Sequence, residues 1–578
     1  MRNGVVGVGV VLVFASCGTA KRDLIASDGG GAAGVTGSSA GTSGSSGMPS
    51  AAGKAGNSAP TADAGAAGEA GSGSLDEQPL SVVSVTPDGQ TATTRDVVSV
   101  TFSRPPTEAS VELALSIEDG RGKVSGSWSL DGNVARFEPH GSLCFDQSYT
   151  VSIAASAQTA DATKLNEAKS FSFRIPDGAW QDAVALASDP SEISAPEVDL
   201  DVDGNALAAW GDGNNAALNF YDANKGAWSG AVQPDFGSPS DSSVSGVHAK
   251  LHGSHAIVAF PGLGVAETSD GKTWTETPTS GFLGFSPYIG NPSVAMSGDY
   301  TSAIVWTDPH QEDPSSLWSA IRTTGGSWQA PTAPFVNPEL ASFWLHDLPD
   351  NSIQVVYDHR LDQVTPGNIA ARRYIRGKGW SSEQQIGAGG GPSVAYDSFG
   401  NALVIGNNAT PIARYDVTTD AWTAMPALAK VNDDMAATVA LAADGTGYAV
   451  YSGVDYVTTD AGLVFDTHIG LQRLIGTKWS SEEIILPTTT DSITLAGATV
   501  DDCGDLEVIW TNGSGMGKVV YARRYTPNSG WLPTVKLTKT SDDGYPRDFV
   551  GNAHGEIAVP YTTGDDSSAL MPKLLRFQ

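Results

Sequence analysis

The chain has 578 residues, 67 of them glycine, and a formal charge of −31 from 64 acidic against 33 basic residues. No basic cluster offsets that charge, so the surface repels phosphate backbones and argues against nucleic-acid binding. The length allows three or four domains, and the absence of sustained helical periodicity points to short strands joined by turns.

The N-terminus starts with Arg2, continues through an apolar run from Val5 to Phe14, and ends in Phe14-Ala15-Ser16-Cys17. A charged start, a short apolar core and a small-residue cleavage site make a secretory signal peptide, too short to span a membrane. Its last four residues resemble the bacterial lipobox, with Phe14 where Leu is usual. The resemblance implies a lipoprotein signal peptide over 1–17 and lipidation of Cys17, which would tether the protein to a membrane by acyl chains. Gly18, rather than Asp, after that Cys fits sorting to an outer membrane, and the alternative is an ordinary secretory signal with an incidental Cys. Residues 18–78 form a linker that is nearly all Gly, Ala and Ser between Gly29 and Ser74. It has too little apolar surface to offset the entropy of ordering and reads as a disordered stalk.

Residues 79–177 change to alternating strands. Val98, Val100 and Phe102 share one face, as do Tyr149, Val151 and Ile153, then Phe171 and Phe173. About a hundred residues of this spacing suit a small β-sandwich. Val85-Thr86-Pro87-Asp88-Gly89, Val98 to Ser103, Phe137-Glu138-Pro139, Leu143 and Tyr149-Thr150-Val151 resemble the bacterial Ig-like domains of surface-layer and other exported proteins. The resemblance implies a spacer or adhesive module without catalytic residues. Beyond Cys17, only Cys144 and Cys503 remain. They fall in different domains and are read as two free, buried thiols, which leaves no Cys-based metal site.

Residues 178–578 repeat one pattern with a period of about fifty residues. A Trp follows a polar or Gly-rich turn at Trp180, Trp228, Trp274, Trp328, Trp380, Trp422, Trp479 and Trp531. In phase with it, a short apolar run ends at Trp210, Phe260, Trp306, Tyr357, Gly406, Tyr451, Trp510 and Tyr561. The fold class is therefore all-β: an Ig-like β-sandwich followed by a β-propeller of eight units, or seven if the unit around Phe260 is an insertion. The domain starts on a fourth strand at Trp180 and stops on a third at Phe577, so its two ends are expected to complete one shared sheet and leave no open edge. Both aromatic series are read as core that fills the wedge between neighbouring sheets.

Ser269-Asp270-Gly271-Lys272-Thr273-Trp274 resembles the Asp-box turn of sialidase-like propellers, one residue short of the usual spacing. In that family the turn is structural. Phe173-Arg174-Ile175-Pro176 resembles the sialidase motif whose Arg binds a sugar carboxylate, but it also ends the sandwich, and neither a following acid nor a Tyr–Glu pair is recognisable. Asp199, Asp201 and Asp203 alternate as calcium-loop ligands do, although Leu207 and Trp210 stand where later acids should come; a plain hairpin turn is the alternative. No His spacing, nucleophile elbow or phosphate loop supports other metal or cofactor chemistry.

Acids recur after the second strands at Asp212, Asp308, Asp358, Asp455 and Asp565, and Tyr288, His310, Arg360 and Phe282 are expected on the same face. Such a ring could hold a cation, hydrogen-bond sugar hydroxyls or cap turns. The assembly of tether, spacer and scaffold reads as a bacterial envelope lipoprotein of the outer membrane, anchored through its N-terminus and using the propeller to bind a glycan or protein ligand without catalysis. The alternative is a sialidase-like glycoside hydrolase or lyase acting on extracellular glycans. No cofactor is expected apart from the calcium candidate.

Overall fold

The computed structural model describes residues 79–578 apart from short segments, the longest being 237–243, 279–289, 308–315, 360–366, 429–435 and 564–569. The signal peptide, Cys17 and the linker lie outside the described residues.

The sandwich pairs a sheet of Val82–Thr86, Val98–Phe102, Val134–Pro139 and Gly126–Asp131 with a sheet of Gly122–Lys123, Leu115–Asp119, Gln147–Ile153 and Lys169–Ile175. Alternation decides its core. Val98, Val100 and Phe102 are buried from one sheet, Tyr149, Val151, Ile153 and Phe173 from the other, and Tyr149 stacks on Phe173 at 5.2 Å. A helix over Glu108–Ala114 links the sheets and has no periodic signal long enough to expect. Thr107 caps it by accepting the Ser110 N–H, and Val111 and Ala114 bury its inner side.

Eight antiparallel sheets of four or five strands follow among the described residues. In each of the first seven the chain runs from an edge strand outward, as in Glu197–Leu200, Ala206–Asp212, Asn215–Asp222 and Ala227–Trp228. The core is not one mass but a set of wedges, one per junction between successive sheets. Leu207 and Ala209 of the first sheet meet Val258 and Phe260 of the second, and the series continues to Ile509 and Val520 of the seventh against Tyr561 and Phe577 of the eighth. Val198, Leu200 and Trp210 of the first sheet pack on Ala558 and Leu574 of the eighth. That contact closes the ring. The last sheet joins Met571–Phe577 to Val184–Ala185, and Trp180 bridges Phe577 with ring centroids 5.6 Å apart.

The two aromatic series differ in environment. The second-strand aromatics are fully enclosed, each in the junction with the preceding sheet: Trp210, Phe260, Tyr357, Tyr451 and Tyr561 are at most 1% exposed. The fourth-strand tryptophans are only half-buried. They lie at the outer rim, across from third-strand tyrosines in the pairs Tyr221–Trp228, Tyr374–Trp380, Tyr415–Trp422 and Tyr525–Trp531, with centroids 5.1–5.6 Å apart. A strand two to four residues long at the edge of a sheet has only one neighbour to cover it, so its Trp keeps one side in water.

Cys144 and Cys503 correct the expectation of free thiols. They form a disulfide with a Cα–Cα distance of 5.6 Å. The sandwich and the propeller share one hydrophobic cluster, in which Phe145 meets Phe577 edge-on at 5.7 Å. Arg95 pairs with Glu556, and Arg524 bridges Asp177 and Asp505. The Ig-like domain is thus bonded to the disc rather than strung beside it.

Candidate functional site

A propeller has two ends. Turns between first and second strands gather at one, and second-to-third-strand loops with the sheet-to-sheet connections gather at the other. Seven of the first-to-second turns share one geometry, in which the residue opening the turn bonds the residue four later and a residue at positive φ closes it: Gly204, Tyr300, Asn351, Gly400, Gly445, Gly504 and Gly555. Cys503, Glu556 and Gly204, which hold the Ig-like domain, all lie in these turns. The sandwich therefore occupies the turn end.

Most of the expected site residues on the loop end, namely Asp308, His310, Arg360, Asp565, Tyr288 and Phe282, lie outside the described residues. Asp455 sits on the long strand Gly447–Thr459, opposite Asp466 of the partner strand Gly462–Ile475. Asp212 ends its strand and accepts from the Gln233 amide at 2.8 Å. Asp358 is fully buried, and its oxygens accept from the Ser342 N–H at 2.6 Å, the Ser342 hydroxyl at 3.0 Å and the Gly391 N–H at 2.7 Å. Those bonds tie the fourth sheet to the loop entering the fifth, and no face of the carboxylate is left for a ligand.

The calcium candidate does not assemble. Asp201 accepts from the backbone and side chain of Asn205 at 2.8 and 2.9 Å and caps its turn. Asp199 turns to the next sheet and accepts from the Leu251 N–H at 2.7 Å, while Asp203 is exposed. Asp199 stands on the strand Glu197–Leu200 while Asp201 and Asp203 lie in the turn beyond it, and among the described residues no three His, Cys, Asp or Glu side chains gather to hold a metal ion. Asp270 of the Asp-box-like turn accepts from the Thr273 and Lys272 N–H groups at 2.7 and 2.8 Å, which hold its carboxyl down at about 2. Arg174 of the sialidase-like motif pairs with Asp146 at 2.6 Å on the sandwich, away from the propeller axis.

The axial channel is built by the eight inner strands and has two unlike halves. In one, from the first, second and fourth sheets, the charges answer one another. Lys250 lies 3.7 Å from Asp199 and 3.0 Å from Asp347, which links three sheets across the axis and raises the affinity of its amine for the proton. Glu197 accepts from the Ala249 N–H at 3.1 Å and lies 3.4 Å from His248. His346 stacks on Tyr396 at 3.8 Å, and burial lowers it to about 4, so the ring is neutral. The other half holds a cavity of about 320 Å³ against the inner strands of the fourth to eighth sheets. Trp344, Tyr396 and Phe549 give it rings, and Ser393, Thr438 and Thr499 give it hydroxyls. None of its lining residues among the described residues carries a charge.

Residue-by-residue reading of the sequence missed both halves. A signal was present: Asp199, Lys250 and His346 each stand two residues before their sheet's first turn begins, so aligning the units on that turn would have grouped them.

No curated protein matches this chain in sequence. Among solved structures, the Dos1 propeller is similar at a TM-score of 0.42 and 9% identity over 69% of this chain and 95% of its own. The polysaccharide lyase Uly1 is similar at a TM-score of 0.37 and 11% identity over 68% and 90%, and YCF48 bound to D1 peptide at 0.36 and 11% over 69% and 94%. Residues 76–175 match the bacterial Ig-like domain family, which accounts for the N-terminal sandwich.

Proposed function

We propose that this chain is an exported, lipid-anchored bacterial envelope protein whose propeller binds a glycan or protein ligand and performs no chemistry on it. The channel supports this reading. Among the described residues its charged groups are already matched to one another or to backbone N–H groups, and its cavity is neutral. Hydrolysis of a glycosidic bond needs two carboxyl groups facing each other across the substrate, and lyase chemistry needs a base aimed at a ring proton. Neither arrangement has a counterpart among the described residues that line the cavity.

The test uses the full mature chain with the Cys144–Cys503 bond intact, immobilised and probed against envelope proteins and a glycan array. Saturable binding of a defined ligand is expected. Turnover of a polysaccharide that is abolished by replacing Asp308, in a variant that keeps the parent's unfolding midpoint, would instead establish the hydrolase or lyase reading. Incorporation of labelled palmitate, lost in Cys17→Ala, tests the anchor.

A further inference from the structure

We propose that the axial cavity binds the end of a neutral glycan, a reading that rests on the binding role above and names its ligand class. The walls decide the class. The inner strands Ser393–Tyr396, Ala436–Leu441 and Ile493–Val500 are each the edge of their sheet, with a strand partner on one side only. An edge strand presents backbone N–H and C=O groups that need partners. In the charged half of the channel the protein supplies such partners itself, since Glu197 and Asp199 accept the Ala249 and Leu251 N–H groups. In the cavity half the side chains at hand are neutral hydroxyls: Ser393 accepts the Val439 N–H at 3.4 Å, and Ser393, Thr438 and Thr499 are each able both to donate and to accept. The Ser393 and Thr438 hydroxyls lie 3.4 Å apart and so form one polar patch.

Ring faces complete the wall. Trp344 is half-buried at the cavity, while Tyr396 has one ring face stacked on His346 and its hydroxyl turned away to Gln354 at 2.9 Å, so at most its other face and not its oxygen meets a ligand. A site with aromatic faces and a few neutral groups that both donate and accept suits a ligand with an apolar face and many hydroxyls. A pyranose has that composition. A peptide strand would need a straight ladder of edge groups, whereas these strands belong to separate sheets that radiate from the axis. An acidic sugar would meet no cation among the described lining residues, inside a chain that carries −31 overall.

Isothermal titration of the full oxidised chain tests this with lactose, maltose, cellobiose and chitobiose as neutral probes, a glucuronate disaccharide and sialyllactose as acidic ones, and tetra-alanine as the peptide probe. A neutral disaccharide is expected to bind, and Trp344→Ala to weaken it by about tenfold or more. The near-isosteric Thr438→Val and Thr499→Val, which keep the fold, are each expected to weaken it by roughly three- to tenfold. Trp344→Phe should retain part of the affinity. Neutral-sugar binding unchanged in all of these variants, or binding confined to the acidic probes or to tetra-alanine, overturns the proposal. A protein ligand captured by the chain with no sugar bound also overturns it while leaving the binding role intact; failure of both removes both.

Discussion

Buried carboxyl groups in this protein divide into those that the fold uses and those that it tolerates. Asp358 belongs to the first kind, since three hydrogen bonds converge on it from two segments. Asp358→Asn replaces an acceptor by a donor facing N–H groups and is expected to cost about 2 kcal/mol, read as a lower unfolding midpoint in urea. Glu507 belongs to the second. Burial pushes it up to about 8 against the pull of Arg524, and its Oε2 has no hydrogen-bond partner among the described residues. The folded state therefore keeps a proton that the unfolded chain, titrating near 4.5, gives up. Stability should fall as pH rises from about 4.5 to about 8, by up to about 1.4 kcal/mol per unit, and level off above. Glu507→Gln removes this contribution, so calorimetric melting between pH 5 and 9 should show a flatter profile and a higher Tm than the parent at pH 8. An unchanged slope would place the proton elsewhere. The recurrent acids were legible in the sequence as a series, but their roles were not. Asp212, Asp358 and Asp455 look alike as aspartates after an aromatic, and only the folded chain separates a rim hydrogen bond from a buried latch.

At the scale of elements, strands declared themselves and junctions did not. The aromatic period located each sheet because a wedge needs a large side chain at the same place in every unit. It did not separate the enclosed second-strand series from the half-exposed tryptophans, since both are large and apolar. The disulfide was missed for a related reason: Cys144 and Cys503 are 359 residues apart, and nothing local to either encodes contact between a sandwich and a turn of the seventh sheet. The bond fastens that turn to the sandwich, so its loss should loosen the joint rather than any one sheet. Cys144→Ala, Cys503→Ala and the double variant break the same bond. They are expected to unfold at one common midpoint, about 2–5 kcal/mol less stable than the oxidised parent and insensitive to added thiol. A double variant weaker than either single would mean that the two cysteines contribute separately. Gly204 tests the turn beside it. Its φ of +73 and the guanidinium of Arg95 against its Cα leave no room for a Cβ, so Gly204→Ala should both strain the turn and disturb the Arg95–Glu556 pair, costing about 1–3 kcal/mol in the same denaturation measurement.

The described propeller residues form a ring whose first and last strands share a sheet, carrying the Ig-like domain on its turn end and, on its axis, a cavity whose described lining is neutral. Closure was legible because a chain that opens on a fourth strand and stops on a third can hide its edges only by joining them. The channel was not, because its character depends on which inner-strand residues meet across the axis, and Lys250 and Asp347 are neighbours only after the ring has closed. Among the described residues, charges are matched pairwise in one half of the channel and the other half has hydroxyls and rings, the arrangement on which the proposed binding role rests. Native mass spectrometry of the full oxidised chain, incubated at stoichiometric concentration with a mixture of neutral oligosaccharides, puts this to the most direct test. A complex carrying one intact oligosaccharide, with every sugar in the mixture at its starting mass, is the predicted result; the appearance of shortened or unsaturated products would contradict it.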